Sequence, residues 1–215
     1  MIESLLPSSV VCVDSFTDRL DTPLFPEEEA VIARAVAKRR AEFTTVRACA
    51  REALAKLGHP PAPLLPGERG APGWPEGIVG SMTHCQGYRA AVVARADEVA
   101  ALGIDAEPDD SLPEGVLQSI ARPEDLTALA ALPSGGPAWD RLLFSAKESV
   151  YKAWFPVGRR LLDFQEARVV ILPDGTFTAR VLVPAPNLRG RPLTDFSGRW
   201  AAGNGLLLTA IAVEP

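Results

Sequence analysis

Apolar residues recur at every third or fourth position in the second fifth of the chain. This helical period is followed by Phe43, Val46, Ala50, Leu54 and Leu57. It predicts a helix over 41–57 with one buried face, ended by the Gly-His-Pro-Pro run at 58–61. An earlier helix is predicted to begin at Pro26, because the three glutamates after it favour the positive end of a helix dipole.

Other stretches are typical of strands. An early strand is predicted over 9–17, and the apolar runs 88–94 and 99–106 predict a hairpin across the polar residues between them. Four runs near the carboxyl end are separated by Pro-Asp-Gly and Gly-Asn-Gly turns and predict an antiparallel sheet: 168–172, 176–183, 196–202 and 205–213.

Two segments lie between these groups of predicted strands and helices. Residues 60–80 are rich in proline and glycine, and they predict a long ordered loop of the kind that binds something. Two or three helices are predicted over 113–155, the strongest beginning near Pro137 and ending at Pro156. The order of elements predicts an α+β fold with two similar halves, although no sequence repeat accompanies the similarity.

Composition narrows the classes of function. The net charge is −5, so no overall positive field favours nucleic acid. Three cysteines without paired spacing argue against a disulfide framework or a zinc site. No basic signal region and no apolar run of about 18 residues is present. We therefore expect a cytoplasmic protein with neither a nucleic-acid nor a membrane partner.

Two acidic residues end a predicted strand in the sequence Gly-Ile-Asp-Ala-Glu-Pro. Alternate residues of a strand share a face, so Asp105 and Glu107 are expected to project together. A hard cation relieves their repulsion, and Mg²⁺ takes one or two carboxylates together with substrate phosphates. The alternative is a solvated strand end followed by an acidic turn.

A second group of charges lies within the strongest late helix. Glu148 and Lys152 are four residues apart and share a helix face, where the plain interpretation is a surface ion pair. The functional interpretation makes Glu148 a metal ligand or general base and lets Lys152 meet a phosphate.

Phosphate-binding groups are predicted at two further places. Ser81, Thr83 and His84 offer hydroxyl and imidazole groups beside backbone amides, although a lone histidine is often structural. Residues 31–58 carry seven cations and two acids, and Arg40, Arg47 and Arg51 lie close to one helical stripe. A solvated helix face is the alternative for that stripe.

Taken in order, these motifs resemble the signature of the 4′-phosphopantetheinyl transferase superfamily. The residues concerned are the Thr-His pair at 83–84, the strand end at 103–108 and the Phe-Ser-Ala-Lys-Glu-Ser-Val-Tyr-Lys run at 144–152. The similarity is to the surfactin- and enterobactin-synthetase type, and within it to actinobacterial enzymes that load fatty-acid, polyketide and peptide-synthetase carriers. It extends over most of the chain, from residue 39 through 73–85 to the late helix.

The resemblance implies two pseudo-symmetric α/β subdomains, each a small antiparallel sheet packed with helices, here divided as 1–106 and 107–215. It implies transfer of the phosphopantetheine arm of coenzyme A to a serine of an apo acyl or peptidyl carrier protein, with release of 3′,5′-ADP. Dependence on Mg²⁺, for which Mn²⁺ can substitute, and a monomeric state are expected. A coenzyme A binding module without catalysis and a Mg²⁺-dependent nucleotide hydrolase are the alternatives.

Site residues follow from the same resemblance. The implied metal ligands are Asp105, Glu107 and Glu148, and the implied catalytic residues are Glu148, as base, and Lys152, at the pyrophosphate. The implied coenzyme A contacts are Arg40, Arg47, Arg69, Ser81, Thr83, His84, Lys147 and Lys152. Position 144 is Phe where many members carry Trp, and Ala106 offers no ligand atom, which places extra weight on Glu148. Residues 112–120 are expected to contact the carrier.

Overall fold

Two long helices lie on two antiparallel sheets in the computed structural model, which describes residues 1–215. The helices are α1 Pro26–Val31, α2 Ala37–Lys56, α3 Val116–Ile120, α4 Pro123–Ala130 and α5 Trp139–Gly158. The strands are β1 Val11–Ser15, β2 Ile78–Cys85, β3 Tyr88–Arg95, β4 Ala101–Pro108, β5 Ala167–Leu172, β6 Thr176–Val181, β7 Asn187–Leu188, β8 Arg191–Pro192, β9 Asp195–Gly203 and β10 Leu206–Val213. The predicted α+β class is confirmed.

The amino-terminal sheet has the strand order β1-β3-β2, and α2 packs against it. The predicted hairpin between β3 and β4 is wrong, because β3 is the central strand and both of its edges are already paired. β2 and β3 form the hairpin instead, across a tight turn in which Gly87 adopts a positive φ of 77°. Residues 90–94 of β3 and 101–104 of β4 are continuous apolar runs, and such runs do not indicate which strands will pair.

The carboxyl-terminal sheet has the strand order β4-β10-β9-β6-β5, and α5 packs against β4 and β10. The predicted antiparallel sheet of the tail is confirmed. β4 carries Asp105 and Glu107 and pairs with β10, whereas the division at residue 106 placed most of this strand in the amino-terminal half. Helix α5 continues to Gly158 rather than ending at Pro156. No helix of the chain has the length and apolar character needed to cross a membrane.

Side-chain hydroxyls join the two sheets where β2 and β4 lie side by side. Ser81 Oγ accepts the Ile104 amide at 3.1 Å, and Thr83 Oγ1 accepts the Ala106 amide at 3.0 Å. Both side chains are buried, so these bonds satisfy backbone donors that no neighbouring strand reaches. We call this row of contacts the β2–β4 seam.

Helix α5 approaches β4 closely because position 103 is glycine. A Cβ placed on Gly103 would lie 2.0 Å from the Ser149 carbonyl oxygen and 2.8 Å from the Ala153 amide nitrogen. On the same helix, the buried hydroxyls of Ser145 and Ser149 lie 2.9 and 2.6 Å from that of Thr209 on β10. These contacts set the height and register of the helix that carries Glu148 and Lys152.

Candidate active site

A cleft of about 710 Å³ opens between the two halves. Its walls come from α2, the loop at 66–74, strand β2 and the second half of α5. This volume lies within the range of small-molecule and cofactor sites. The predicted long loop of 60–80 therefore borders a cavity, with Arg69 at its wall and in a left-handed conformation (φ 55°).

The basic end of the cleft is built by one face of α2. Arg39, Phe43 and Arg47 follow one another at intervals of four residues and all line the cavity. The Arg47 guanidinium lies over the Phe43 ring, with Cζ 3.1 Å from the ring centroid, and its Nε donates to the Leu64 carbonyl at 2.9 Å. Burial lowers the pKa of Arg47 to about 10, which leaves the group charged at neutral pH.

His84 faces the same end of the cleft. The Arg39 guanidinium lies 2.8 Å from His84 Nε2, and since a guanidinium only donates, Nε2 accepts and Nδ1 carries the proton. Burial lowers the pKa of His84, and the charge of Arg39 lowers it further, although Glu42 opposes the shift from 3.8 Å. The imidazole is neutral at pH 7 and lies between a cation and a carboxylate.

Arg40 does not line the cleft, in contrast to the expectation for it. Its guanidinium pairs with Glu29, and Arg51 donates to both oxygens of the buried Glu28 at 3.0 and 2.9 Å. Two members of the predicted stripe, Arg40 and Arg51, thus pair with glutamates of the acidic helix α1, which offset their positive charge. The third member, Arg47, lines the cavity together with Arg39, the residue beside Arg40 in the sequence.

Lys152 also lines the cleft and connects the cavity to the acidic strand end. Its ammonium donates to the Ile104 carbonyl at 3.0 Å and to Asp105 Oδ1 at 2.7 Å. Asp105 Oδ2 is buried and has no hydrogen-bond partner. Glu107, two residues on, accepts at Oε2 from Arg141 at 2.9 Å. The pair of carboxylates expected at this strand end is therefore present and already flanked by cations.

Glu148 lines the cleft one helical turn before Lys152, and its carboxylate makes no hydrogen bond within the protein. Burial raises the pKa of Glu148, the charges of Asp105 and Glu107 raise it further, and Lys152 opposes the shift. The three carboxylates are near enough to influence one another. They do not form a closed cluster, however, since no three His, Cys, Asp or Glu side chains are arranged to hold a metal ion.

The donor set nevertheless fits a magnesium ion that phosphates help to bind. Asp105 Oδ2 is a buried carboxylate oxygen without a partner, and such an atom is costly to leave unsatisfied. Glu107 Oε1 is likewise free of protein hydrogen bonds, and Mg²⁺ commonly takes only one or two carboxylates beside phosphates and waters. The expected set of three protein carboxylates is not preassembled.

Comparison with known proteins identifies this arrangement. The description "4′-phosphopantetheinyl transferase N-terminal domain" matches residues 27–94, and "4′-phosphopantetheinyl transferase superfamily" matches residues 101–202. The 4′-phosphopantetheinyl transferase Svp of Streptomyces mobaraensis is 61% identical over 99% of this chain and 89% of its own length. This chain belongs to the 4′-phosphopantetheinyl transferase superfamily.

Two further relatives are also similar to this transferase, one along nearly its whole length and one over part of it. The 4′-phosphopantetheinyl transferase PptT of Mycobacterium tuberculosis is 47% identical over 99% of this chain and 98% of its own. Enterobactin synthase component D of Salmonella typhimurium is 35% identical over 69% of this chain and 61% of its own. The resemblance to actinobacterial enzymes of this type is confirmed.

Within the transferase, Lys147 does not line the cleft but contacts α4 and the start of β5. Its ammonium forms a fully buried ion pair with Asp125 Oδ2 at 2.7 Å and donates to the carbonyls of Phe164 and Ala167 at 2.7 and 2.8 Å. Asp125 Oδ1 in turn accepts the Val169 amide. This geometry ties α5 to α4 and β5, and it leaves Lys147 no donor for coenzyme A.

Replacing Lys147 should therefore reduce stability and spare ligand binding. In Lys147→Met the Asp125 carboxylate remains buried without its cation, and the free energy of unfolding should fall by about 3–5 kcal/mol. Urea denaturation measures this loss, and calorimetry should find the coenzyme A affinity of the folded protein unchanged. Adding Asp125→Asn should recover part of the loss. If Lys147→Met were as stable as the wild type and bound coenzyme A about tenfold more weakly, Lys147 would be a coenzyme A contact after all.

Ser81 and Thr83 have hydroxyls already engaged in the β2–β4 seam, and only Ser81 borders the cleft. Two residues that the sequence analysis missed are Arg39 and Arg141. Helical spacing signals both: Arg39 precedes Arg47 by eight residues, and Arg141 precedes Glu148 by seven on the same face of α5.

Proposed function

We propose that this transferase moves the 4′-phosphopantetheine arm of coenzyme A to a serine hydroxyl of an apo acyl or peptidyl carrier protein and releases 3′,5′-ADP. The observation that carries the proposal is one cleft whose lining combines the cations Arg39, Arg47 and Arg69 and the imidazole of His84 with Glu148 and Lys152. Such a cleft suits a long ligand with a phosphate at one end and a pyrophosphate further along. Membership of the superfamily supports the same reaction.

In the proposed binding mode the 3′-phosphate of the nucleotide lies at the basic end. Arg39 and Arg47 supply guanidinium donors, and His84 supplies an imidazole that gains basicity when an anion arrives. Arg69 borders the cleft on the 66–74 loop and can add a further cation. Lys152 contacts the pyrophosphate, at the point where it now donates to Asp105.

The oxygens of Asp105 and Glu107 that lack protein partners would hold Mg²⁺, and Glu148 would complete the set as substrate binds. A bound Mg²⁺ supplies charge neutralisation on the pyrophosphate, the main requirement of phosphoryl transfer. The protein fits this requirement because its acidic residues lie beside Lys152, which lines the cleft.

The chain's own residues then act on the carrier serine. A Glu148 carboxylate oxygen accepts the proton of the serine hydroxyl, whose oxygen bonds to the β-phosphorus of coenzyme A. The bond from that phosphorus to the bridging oxygen breaks, and its electron pair leaves with 3′,5′-ADP. The raised pKa of Glu148 makes it a stronger base than an exposed glutamate, and Lys152 offsets the charge on the departing phosphate.

Intact-mass analysis tests the proposal. The protein is incubated with coenzyme A, Mg²⁺ and a panel of apo acyl and peptidyl carrier proteins, and each modified carrier should gain the mass of one phosphopantetheine group. Cleavage of coenzyme A in the absence of a carrier would favour a nucleotide hydrolase. Binding of coenzyme A without any mass gain would favour a non-catalytic module, and either outcome contradicts the proposed transfer.

The two adjacent arginines of α2 give a matched pair of variants. Arg39→Gln should weaken coenzyme A binding by roughly ten- to hundredfold, as expected for loss of a charge-assisted hydrogen bond. Binding of 3′-dephospho-coenzyme A should change little, because it lacks the group that Arg39 meets. Arg40→Gln should leave both affinities unchanged, and calorimetry compares the four values. If only Arg40→Gln weakened coenzyme A binding, Arg40 rather than Arg39 would contact the 3′-phosphate.

The carrier is proposed to dock beside Glu148, on the segment 112–120. Its helix α3 contacts α5, and the Leu112 amide donates to Asp140 Oδ2 at 2.9 Å, so the segment is fixed against the catalytic helix.

The three cysteines are free thiols, which suits a reducing compartment, and we place a monomeric enzyme in the cytoplasm.

A further inference from the structure

Arg141, in the first turn of α5, binds three acceptors on the chain that leaves β4. Its Nη1 donates to Glu107 Oε2 at 2.9 Å, its Nε to the Asp110 carbonyl at 3.0 Å and its Nη2 to the Ser111 carbonyl at 2.9 Å. Both the guanidinium and the Glu107 carboxylate are less than one-fifth exposed. A fork with three donors directed at three acceptors holds its partners in one geometry.

Two further hydrogen bonds strengthen the same attachment. The Ala138 amide donates to Asp109 Oδ1 at 2.8 Å, and the Leu112 amide donates to Asp140 Oδ2 at 2.9 Å. The segment 107–112 is therefore held along its length by residues 138–141. Among these bonds, only that of Arg141 reaches a carboxylate of the proposed metal site.

The two carboxylates of that site are held in the same way. Asp105 has one oxygen on Lys152 and one without a partner, and Glu107 has one oxygen on Arg141 and one without a partner. Each cation restrains a carboxylate through one oxygen and leaves the other oxygen for an incoming ion. Arg141 has no place in the cleft wall, so a direct contact with coenzyme A does not explain it.

We propose that Arg141 is a positioning residue of the metal site, which fixes the Glu107 carboxylate and the 109–112 segment so that divalent cations bind a prepared pair of oxygens. The inference rests on the proposed function of Asp105 and Glu107 as metal ligands. Residues that orient a metal ligand in this way typically contribute ten- to hundredfold in metal affinity.

Binding of Mn²⁺ alone, measured by electron paramagnetic resonance without coenzyme A or carrier, tests the proposal. Arg141→Gln should weaken Mn²⁺ binding by about tenfold or more. Arg141→Lys keeps the charge but loses the fork, and it should give an intermediate loss. The matched control is Arg160→Gln, because Arg160 pairs with Glu166 at 2.6 Å on the same half of the protein, away from β4. Its Mn²⁺ affinity should equal that of the wild type.

A double-mutant cycle separates positioning from general damage. If Arg141 acts through Glu107, then Arg141→Gln should change Mn²⁺ affinity less than about twofold in a Glu107→Gln background. Equal losses in both backgrounds would overturn the proposal, as would wild-type Mn²⁺ affinity in folded Arg141→Gln. Should that variant fail to fold by circular dichroism, Arg141→Lys decides between the same outcomes. Carrier loading is scored separately, so a failure of the transfer reaction does not mimic a failure of Arg141.

Discussion

Glu148→Gln should abolish loading of carrier proteins and leave a folded protein. The amide has nearly the shape of the carboxylate but cannot accept the serine proton, and a general base contributes about 10²–10⁴ to a rate. Because Glu148 also completes the proposed metal set, we expect a fall in kcat/KM of at least about 10³-fold. Intact-mass kinetics with one apo carrier protein measures the change.

Two comparisons make the Glu148 result interpretable. Coenzyme A affinity, measured by calorimetry, should fall far less than the rate, since Arg39, Arg47 and His84 are untouched. Glu98→Gln removes an exposed glutamate between β3 and β4 and should load the carrier at the wild-type rate. If folded Glu148→Gln keeps the wild-type loading rate, Glu148 is neither the base nor a required metal ligand.

Gly103→Ala should be the most destabilising single methyl addition in the protein. The new Cβ would lie 2.0 Å from the Ser149 carbonyl oxygen and 2.8 Å from the Ala153 amide nitrogen. Both are backbone atoms, which cannot move aside as the end of a side chain does. Helix α5 must lift from β4 or the strand must bend, at a cost of about 3 kcal/mol or more. Thermal unfolding should show Tm lowered by roughly 10 °C.

Gly203→Ala is the matched control, also on a strand of the carboxyl-terminal sheet. Its Cβ would lie 3.5 Å from the flexible end of the Met1 side chain, an ordinary contact, so Tm should change little. Equal Tm values for Gly103→Ala and the wild type would mean that α5 leaves room for a methyl group on β4, in contradiction to the 2.0 Å contact. A lowered Tm for both variants would indicate a general intolerance of the sheet instead.

The sequence predicted those parts of the fold that local chemistry determines. The three-and-four spacing of apolar residues located α2, and the Pro-Asp-Gly and Gly-Asn-Gly turns located the tail strands. Strand pairing was missed where the pattern has no period, because residues 90–94 of β3 and 101–104 of β4 are continuous apolar runs and both are buried. A turn of two residues at Gln86 and Gly87 was the local signal for the correct hairpin.

The site was predictable in kind and less so in detail. Spacing along one strand places Asp105 with Glu107, and spacing along one helix places Glu148 with Lys152. The close packing of α5 on β4 then brings the two pairs together. Arg40 and Arg39 differ by 100° around the helix, and only the position of the acidic helix α1 decides which one reaches the cleft. Lys147 looked like a ligand contact because sequence alone does not show that the distant Asp125 binds it.

The β2–β4 seam has a consequence for any attempt to separate the halves. β2 and β4 are both edge strands of their sheets, and the hydroxyls of Ser81 and Thr83 occupy the amides that the edge of β4 would otherwise present. A fragment ending before β4 would expose β2, and a fragment beginning at β4 would expose unpaired amides, each a template for strand addition by another copy. The two halves thus protect each other from self-association, so splitting the chain at this point would yield two aggregating fragments rather than two small domains.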